Sequence, residues 1–296
     1  MNYKYQIVLC LGVFFFVSCG KRKTVTNAKP EEKTAFKPTL ELLWKTDTLL
    51  TTSESVLYDP VKDIIYVSNV NNSPWDKDGN GFISTINTKG EITNLKWMEG
   101  LSGPKGMGIH NGKLYVNDID RVVEIDIEKQ KVTNEFFVEG NPQLNDITVG
   151  NGSVYISGSG SDAIYKIVDN EITEVAKDSL GRLNGLLHQK EGIYYATSAS
   201  HNFGLYNRDS KTFNTLVSGI GHGDGVVRLD NNDFIVSSWQ GQIFYINGEN
   251  WTKTLILDTR DHGMNAADID YIPSNRTLLV PTFFDNRVLA YKVNYK

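Results

Sequence analysis

Residues 225–257 read GVVRLDNNDFIVSSWQGQIFYINGENWTKTLIL, which is a series of four short apolar runs separated by polar turns. The runs are Gly225–Leu229, Phe234–Ser237, Gln242–Ile246 and Thr252–Leu257. β-Branched and aromatic residues fill them, and Asn, Asp and Gly fill the turns between them, which is typical of strands joined by tight turns. This stretch therefore predicts one small antiparallel sheet of four strands.

The second run of that unit recurs along the whole chain. The equivalent anchor residues are Tyr66, Tyr115, Tyr155, Tyr194, Phe234 and Leu278, with spacings of 49, 40, 39, 40 and 44 residues. Six copies of a four-stranded unit at this period predict an all-β fold, a six-bladed β-propeller.

The two ends of the chain complement each other. The last repeat stops after a third strand, Arg287–Val293, and an unmatched strand-like run, Thr39–Trp44, precedes the first repeat. We expect this N-terminal strand to complete the last blade and close the ring, because closure removes exposed sheet edges. The predicted propeller spans residues 40–296.

Composition narrows the classes of function. The chain has 296 residues with a net charge of −5, which argues against a nucleic-acid partner, since such proteins carry a basic stripe. The two cysteines, Cys10 and Cys19, both precede the repeats, so the predicted propeller has no disulfide, cysteine zinc site or thiol nucleophile.

The first residues resemble a targeting segment. Lys4, the apolar run Ile7–Val17 and the small residues after it predict a signal peptide over residues 1–18. Phe16-Val17-Ser18-Cys19 resembles a bacterial lipobox, which implies lipidation of Cys19, a flexible tether over residues 19–39 and attachment to the cell envelope through the lipid alone. A plain secretory signal with a coincidental cysteine is the alternative.

Polar residues recur at the start of the innermost strands. Counting back ten residues from the anchors reaches Lys105, Asn145, Asn184, Asp224 and Asp268, and the counterpart in the first repeat is Glu54. Innermost strands converge on the channel, so we expect one ring of side chains at one mouth. Carboxylate and amide oxygens suit a hard divalent cation, although a water-filled channel would also favour polar residues there.

Several of these positions carry a family resemblance. Ser53–Tyr58, Asn145-Asp146, Asn184–Leu186 and Gly223–Gly225 are similar to motifs of the senescence-marker-protein/gluconolactonase family, which includes regucalcin. The resemblance implies a six-bladed propeller that binds one divalent cation (Ca²⁺, Mg²⁺, Mn²⁺ or Zn²⁺) and hydrolyses sugar lactones. By position, it implies metal ligands at Glu54, Asn184 and Asp224, and a metal or substrate contact at Asn145.

Lys105 departs from that pattern, because a cation in the ring opposes a divalent metal. It could pair with Asp268, hold an anionic substrate, or replace a metal that this chain has lost. We expect Lys105, His222, Trp239 and Asp268 to contact the substrate. Loops at the same mouth should form the pocket walls; they are Asn117-Asp118, Ser198–Asn202, Trp239-Gln240, Phe283-Phe284 and a lid at Val70–Gly81.

The lid contains Asp76–Gly81, which resembles the front of an EF-hand calcium loop. Asn87 stands where that loop needs a bidentate Glu, so an Asp- and Gly-rich turn is the favoured interpretation, with a weak second cation site as the alternative.

The expected function is metal-dependent hydrolysis of a sugar lactone or small ester, with Asp224 as the catalytic group that takes the proton of water. The alternative is a non-catalytic propeller that binds a small ligand or a protein at the cell envelope.

Overall fold

The computed structural model of the protein describes residues 38–295, and the predicted signal peptide and Cys19 lie outside this range. The first strand, β1, spans Thr39–Lys45, so it begins at the last residue assigned to the tether. Between residues 38 and 295 we find no helix with the length and apolar character that crossing a membrane requires.

The described residues form six antiparallel sheets of four strands each, which confirms the predicted six-bladed β-propeller. Blade one consists of β2 (Ser53–Asp59), β3 (Ile64–Asn69), β4 (Gly81–Asn87) and β5 (Ile92–Leu101). Blade two consists of β6 (Pro104–His110), β7 (Lys113–Asp118), β8 (Arg121–Asp126) and β9 (Lys131–Phe137). Blade three consists of β10 (Leu144–Gly150), β11 (Ser153–Gly158), β12 (Ala163–Val168) and β13 (Glu171–Lys177).

The second half of the ring repeats this order. Blade four consists of β14 (Leu183–Gln189), β15 (Gly192–Thr197), β16 (Asn202–Asn207) and β17 (Thr212–Ser218). Blade five consists of β18 (Gly223–Arg228), β19 (Phe234–Ser238), β20 (Gln242–Ile246) and β21 (Lys253–Asp258). Blade six consists of β22 (Asp270–Ile272), β23 (Thr277–Pro281), β24 (Val288–Asn294) and the N-terminal β1.

The N-terminal strand closes the ring as the sequence predicts. β1 pairs antiparallel with β24, from Thr39 opposite Asn294 to Lys45 opposite Leu289. The Trp44 indole N–H also donates to the carbonyl of Thr88 in blade one at 3.1 Å. The closing strand therefore ties the last blade to the first.

Burial follows the position of each strand in its blade. The innermost and second strands are buried on both faces, whereas the outer strand β13 is mostly exposed, with two half-buried side chains. This explains why the second strands are continuous apolar runs and make the clearest sequence anchors.

The hydrophobic core consists of layers packed between neighbouring blades. One such layer joins blades six and one through Ile65, Val67, Leu279 and Val288, all of which are almost completely buried. Burying each aliphatic side chain of this kind contributes about 1.5–3 kcal/mol. The layers fix the blades around the channel, with the innermost strands all starting at one end, which we call the upper mouth.

Candidate active site at the upper mouth of the channel

Strand register shows which residues lie at one height in the channel. In every blade, the innermost strand pairs with the middle of the second strand; the pairs are Leu57–Tyr66, Gly108–Tyr115, Thr148–Tyr155, Leu187–Tyr194, Val227–Ile235 and Asp270–Leu279. The first residue of each pair lies on the innermost strand, and the residue three places before it lies at the upper mouth. These six residues form what we call the upper ring: Glu54, Lys105, Asn145, Asn184, Asp224 and Ala267. Five of the six predicted ring residues are therefore in it.

Asp268 is the exception, since it lies one residue below the upper ring. The turn between the first two strands of blade six contains a 3₁₀ turn at Pro273–Asn275. The separation of its paired residues is 279 − 270 = 9, against 194 − 187 = 7 in blade four. The longer turn adds two residues, and the anchor Leu278 lies one residue before the paired Leu279, so counting back ten from Leu278 reaches Asp268, one residue past the ring position of Ala267.

Asp268 belongs to a lower layer that follows the upper ring in sequence: Ser55, Gly106, Asp146, Gly185, Gly225 and Asp268. Asp268 and Ser55 form a β-bridge, and the Ser55 hydroxyl donates to Asp268 Oδ2 at 2.6 Å. Asp146 accepts the backbone N–H of Ile147 at 2.6 Å and that of Leu186 at 2.5 Å. The lower-layer carboxylates thus bind neighbouring inner strands together.

One glycine of the lower layer brings two upper-ring residues close together. A Cβ atom on Gly185 would lie 1.8 Å from the carbonyl oxygen of Asp224, so only glycine allows blades four and five to approach this closely. The residue before it is Asn184. The Asn184-Gly185 pair of the sequence motif is therefore explained by a close backbone contact beside two predicted ligands.

A cavity of about 380 Å³ lies above the upper ring. Its floor includes Glu54, Lys105, Asn145, Asn184 and Asp224. Its walls come from loops, and they consist of Pro74, Trp75, Arg182, Ser198, His222, Trp239, Phe283 and Phe284. Three of the predicted substrate contacts, Lys105, His222 and Trp239, line it, whereas Asp268 lines a cavity of about 480 Å³ at the other mouth.

Three oxygens of the upper ring have no hydrogen-bond partner among the residues that the structure describes. They are Glu54 Oε2, Asn184 Oδ1 and Asp224 Oδ1, and each belongs to a residue that is less than a tenth exposed. Buried acceptors without a partner are rare and cost about 1–3 kcal/mol each. All three are hard oxygen donors that face one small site, so the residues present fit a divalent cation.

Asn145 has a fixed orientation beside them. Its amide N–H donates to Ser159 Oγ at 3.2 Å, and the Ser159 hydroxyl donates to the carbonyl of Leu183 at 2.6 Å. Ser159 therefore connects blades three and four beside the predicted ligands. The candidate ligand set has only two acidic residues, and no cluster of three or more His, Cys, Asp or Glu side chains positioned for a metal occurs between residues 38 and 295.

Lys105 is a buried cation in the same ring. It is 2% exposed, its ammonium nitrogen lies 3.9 Å from Glu54 Oε1, and it lies 4.3 Å from the centre of the Trp75 ring. The first distance exceeds the 2.7–2.9 Å of a charge-assisted hydrogen bond. Lys105 and Glu54 are therefore neighbours of opposite charge that are not hydrogen-bonded.

Burial dominates the electrostatics of the ring. It raises the pKa of the Glu54 carboxyl to about 7, against the opposing effect of the Lys105 charge. It also raises the pKa of Asp224 well above its ordinary value, and the charges of Glu54 and Asp146 add to this effect. Burial lowers the pKa of Lys105, although the nearby carboxylates oppose it. The charged forms of all three groups are therefore costly without a further charged partner.

Sequence reasoning missed Arg182. This residue lines the upper cavity, donates to Gln143 Oε1 at 3.0 Å, and places a second positive charge near Lys105. A signal for it exists, since Arg182 precedes Asn184 by two residues as His222 precedes Asp224. Residues two places before the ring thus contribute to the cavity wall in at least two blades.

The Asp76–Gly81 loop is a structured turn. Asp78 accepts the backbone N–H of Asn80 at 3.2 Å and its amide N–H at 2.5 Å, and Lys77 pairs with Asp120 of blade two. These contacts are those of an Asp-rich turn, the favoured interpretation. Of the lid residues, Pro74 and Trp75 reach the upper cavity.

Comparison with known proteins supports the fold. A scan of protein-family models finds no match, and a search of curated proteins finds none either. Among solved structures, the chain is similar to a proposed gluconolactonase, with a TM-score of 0.69 and 14% identity over 90% of this chain and 97% of that one. It is also similar to a streptogramin B lyase, with a TM-score of 0.65 and 10% identity over 87% of this chain and 98% of that one.

A third similar structure is an inactive variant of virginiamycin B lyase from Staphylococcus aureus with quinupristin. Its TM-score is 0.62, with 13% identity over 86% of this chain and 99% of that one. At these identities the likeness shows the fold alone, which is a six-bladed propeller shared with proteins described as a gluconolactonase and as lyases.

Proposed function

We propose that this protein hydrolyses a sugar lactone or a related small ester at the upper mouth, using one divalent cation. The observation that carries the proposal is the set of unpartnered buried oxygens on Glu54, Asn184 and Asp224 beneath a 380 Å³ cavity. The resemblance of the same residues to gluconolactonase motifs, and the similarity in fold to a proposed gluconolactonase, support it.

Glu54, Asn184 and Asp224 would bind the cation, with Asn145 beside them. When bound, Ca²⁺, Mg²⁺, Mn²⁺ or Zn²⁺ supplies Lewis acidity toward a carbonyl and lowers the pKa of water. Asp224 has two carboxylate oxygens, so one can bind the cation while the other accepts a proton.

The residues of the chain account for the remaining steps. Asp224 takes a proton from the water that attacks the lactone carbonyl carbon. The ring C–O bond then breaks, and the proton passes to the departing alkoxide, so the product is a hydroxy acid. Asn145 and Asn184 orient water and substrate hydroxyls, while Trp239 and Phe283 form a wall that limits the access of bulk water.

A panel of lactones, followed by acid release in a pH-stat, tests this proposal. We expect Asp224→Ala to lower kcat by at least about a hundredfold, because it removes both a ligand and the base. Asp261→Ala, on an exposed 3₁₀ turn away from the cavity, is the matched control and should retain activity. Full activity in Asp224→Ala would show that the mechanism is wrong.

The second candidate is a non-catalytic propeller that binds a small ligand or a protein. The proximity of Lys105 to Glu54 favours it, because a lysine that compensates Glu54 can replace a metal. A protein that binds no divalent cation, and hydrolyses no member of the panel, would favour this second function.

We also propose that the chain is attached to the bacterial cell envelope through a lipid on Cys19, after removal of residues 1–18. The lipobox-like Phe16–Cys19 segment supports this proposal. Metabolic labelling with a radioactive fatty acid tests it: the wild type should incorporate label and Cys19→Ser should not. Equal labelling of both proteins would contradict it.

A further inference from the structure

Lys105 is the feature of the upper mouth that the proposed hydrolysis leaves unused. Its side chain is almost completely buried on the floor of the cavity, and it makes no hydrogen bond to a residue of the described part of the chain. An ammonium group has three N–H donors, and leaving them without acceptors in a buried site is costly. A ligand that enters the cavity can satisfy them.

The charge balance of the ring indicates the sign of that ligand. Two carboxylates, Glu54 and Asp224, and one ammonium, Lys105, sum to −1 when all are charged. A divalent cation changes the sum to +1. One negative charge on the ligand returns the upper ring to neutrality, whereas a neutral ligand leaves a buried charge of the ring uncompensated.

A second cation lies on the rim of the same cavity. Arg182 uses one guanidinium nitrogen on Gln143, and its other N–H groups make no hydrogen bond to a described residue. Planar guanidinium groups suit carboxylates, which they can bind through two parallel hydrogen bonds. The cavity therefore contains two positive groups on its floor and rim.

The opposite side of the mouth is aromatic. Trp239 of blade five lies 5.6 Å from Phe283 and 5.8 Å from Phe284 of blade six, measured between ring centres. Phe284 is 61% exposed, which is a large apolar surface beside a polar cavity. Blades five and six lie across the channel from blades two and three, so this aromatic wall faces the side that carries Lys105.

We propose that the substrate carries a carboxylate that Lys105 binds, with Arg182 at the rim, while the uncharged face of its ring packs on Trp239, Phe283 and Phe284. This inference rests on the proposed function, whose substrate class it specifies as an anionic lactone or ester. Lys105 then serves as a specificity-determining residue rather than as a replacement for a metal.

Two lactones that differ in one group test the proposal. D-glucaro-1,4-lactone carries a carboxylate where D-glucono-1,4-lactone carries a hydroxymethyl group. We expect kcat/KM to favour the anionic lactone by about ten- to a hundredfold, which is the effect of one hydrogen bond to a charged group. Lys105→Met should reduce this ratio to about one and Lys105→Arg should retain it, while Lys129→Met, at an exposed turn of blade two, is the control.

Calorimetric binding of methyl β-D-glucuronide and methyl β-D-glucoside separates recognition from catalysis, since neither compound is a lactone. We expect the glucuronide to bind more tightly to the wild type and to lose this advantage in Lys105→Met.

Equal hydrolysis of both lactones would overturn the substrate class and leave the proposed function intact. If neither lactone is hydrolysed but the protein still prefers the glucuronide through Lys105, the proposed hydrolysis is wrong and the proposed recognition of a carboxylate is supported. Equal loss of binding for both glycosides in Lys105→Met would show a structural role and overturn the proposal.

Discussion

The backbone N–H of Asp268 donates to the carbonyl oxygen of Glu54 at 2.9 Å. This bond joins the innermost strand of the last blade to that of the first, and it places the two acidic side chains at different heights. The Glu54 carboxylate lies in the upper ring, and the Asp268 carboxylate lies in the lower layer on the Ser55 hydroxyl. Two acids that are adjacent in space therefore face different cavities.

The difference in height predicts different effects on cation binding. Asp224→Asn removes a charged ligand from the upper ring, so its affinity for a divalent cation should fall by at least about ten- to a hundredfold. Asp268→Asn should bind the divalent cation with the same stoichiometry and affinity as the wild type. Isothermal titration with each metal salt measures both, and a loss of binding in Asp268→Asn alone would contradict the assignment of layers.

Closure of the ring by β1 predicts a stability effect at Trp44. The indole donates to Thr88 in blade one and covers Gly90, whose Cβ would lie 2.5 Å from the ring. Trp44→Ala should lower the free energy of unfolding by about 2 kcal/mol, because the side chain is half-buried rather than fully enclosed. Leu43→Ala, at a neighbouring position that is 48% exposed, should change it by less than about 0.5 kcal/mol in the same urea titration. Equal effects of the two substitutions would contradict the closing role of Trp44.

Asp270 predicts a pH dependence of stability that does not involve the upper ring. Burial raises its pKa from 3.8 to about 6, although the carboxylate accepts the backbone N–H groups of Tyr58 and Tyr271. Because the folded-state pKa exceeds the unfolded value, the contribution of this group to stability is complete below pH 4 and is lost as the pH rises through 6. The loss amounts to about 3 kcal/mol for a shift of roughly two units.

The Asp270→Asn variant measures this contribution. Asparagine does not titrate, so the unfolding free energy of the variant relative to the wild type should rise by about 3 kcal/mol between pH 4 and pH 7. Asp261→Asn, on an exposed 3₁₀ turn, serves as the control. A constant difference between Asp270→Asn and the wild type over this range would contradict the assignment.

Much of the architecture could be predicted because propeller blades repeat one local pattern. The apolar second strands, such as β15 and β19, are buried on both faces and stand out in the sequence. Their spacing gave the number of blades, and the incomplete last repeat indicated that Thr39–Trp44 closes the ring. The same count, with two extra turn residues allowed in blade one for Glu54, placed Glu54, Lys105, Asn145, Asn184 and Asp224 together, as they are in the structure.

The remaining errors have physical causes. A fixed count assumes equal turns, and the 3₁₀ turn at Pro273–Asn275 lengthens the turn of blade six by two residues. The anchor Leu278 lies one residue before the paired Leu279 and offsets half of this, so the count falls on Asp268, one layer below the ring. Arg182 was missed because it lies in the loop just before β14, outside the strand positions that the count follows. The pairing of Lys105 with Trp75 depends on the path of the lid over blade two, which strand periodicity does not encode.

The central claim is that a divalent cation in the upper ring is required for hydrolysis. The most direct measurement is acid release from D-glucono-1,5-lactone by one preparation, before chelation, after EDTA treatment and after return of each metal salt. We expect activity to fall to the uncatalysed background on chelation and to return with at least one of Ca²⁺, Mg²⁺, Mn²⁺ or Zn²⁺. Undiminished hydrolysis by the metal-free protein would contradict the account.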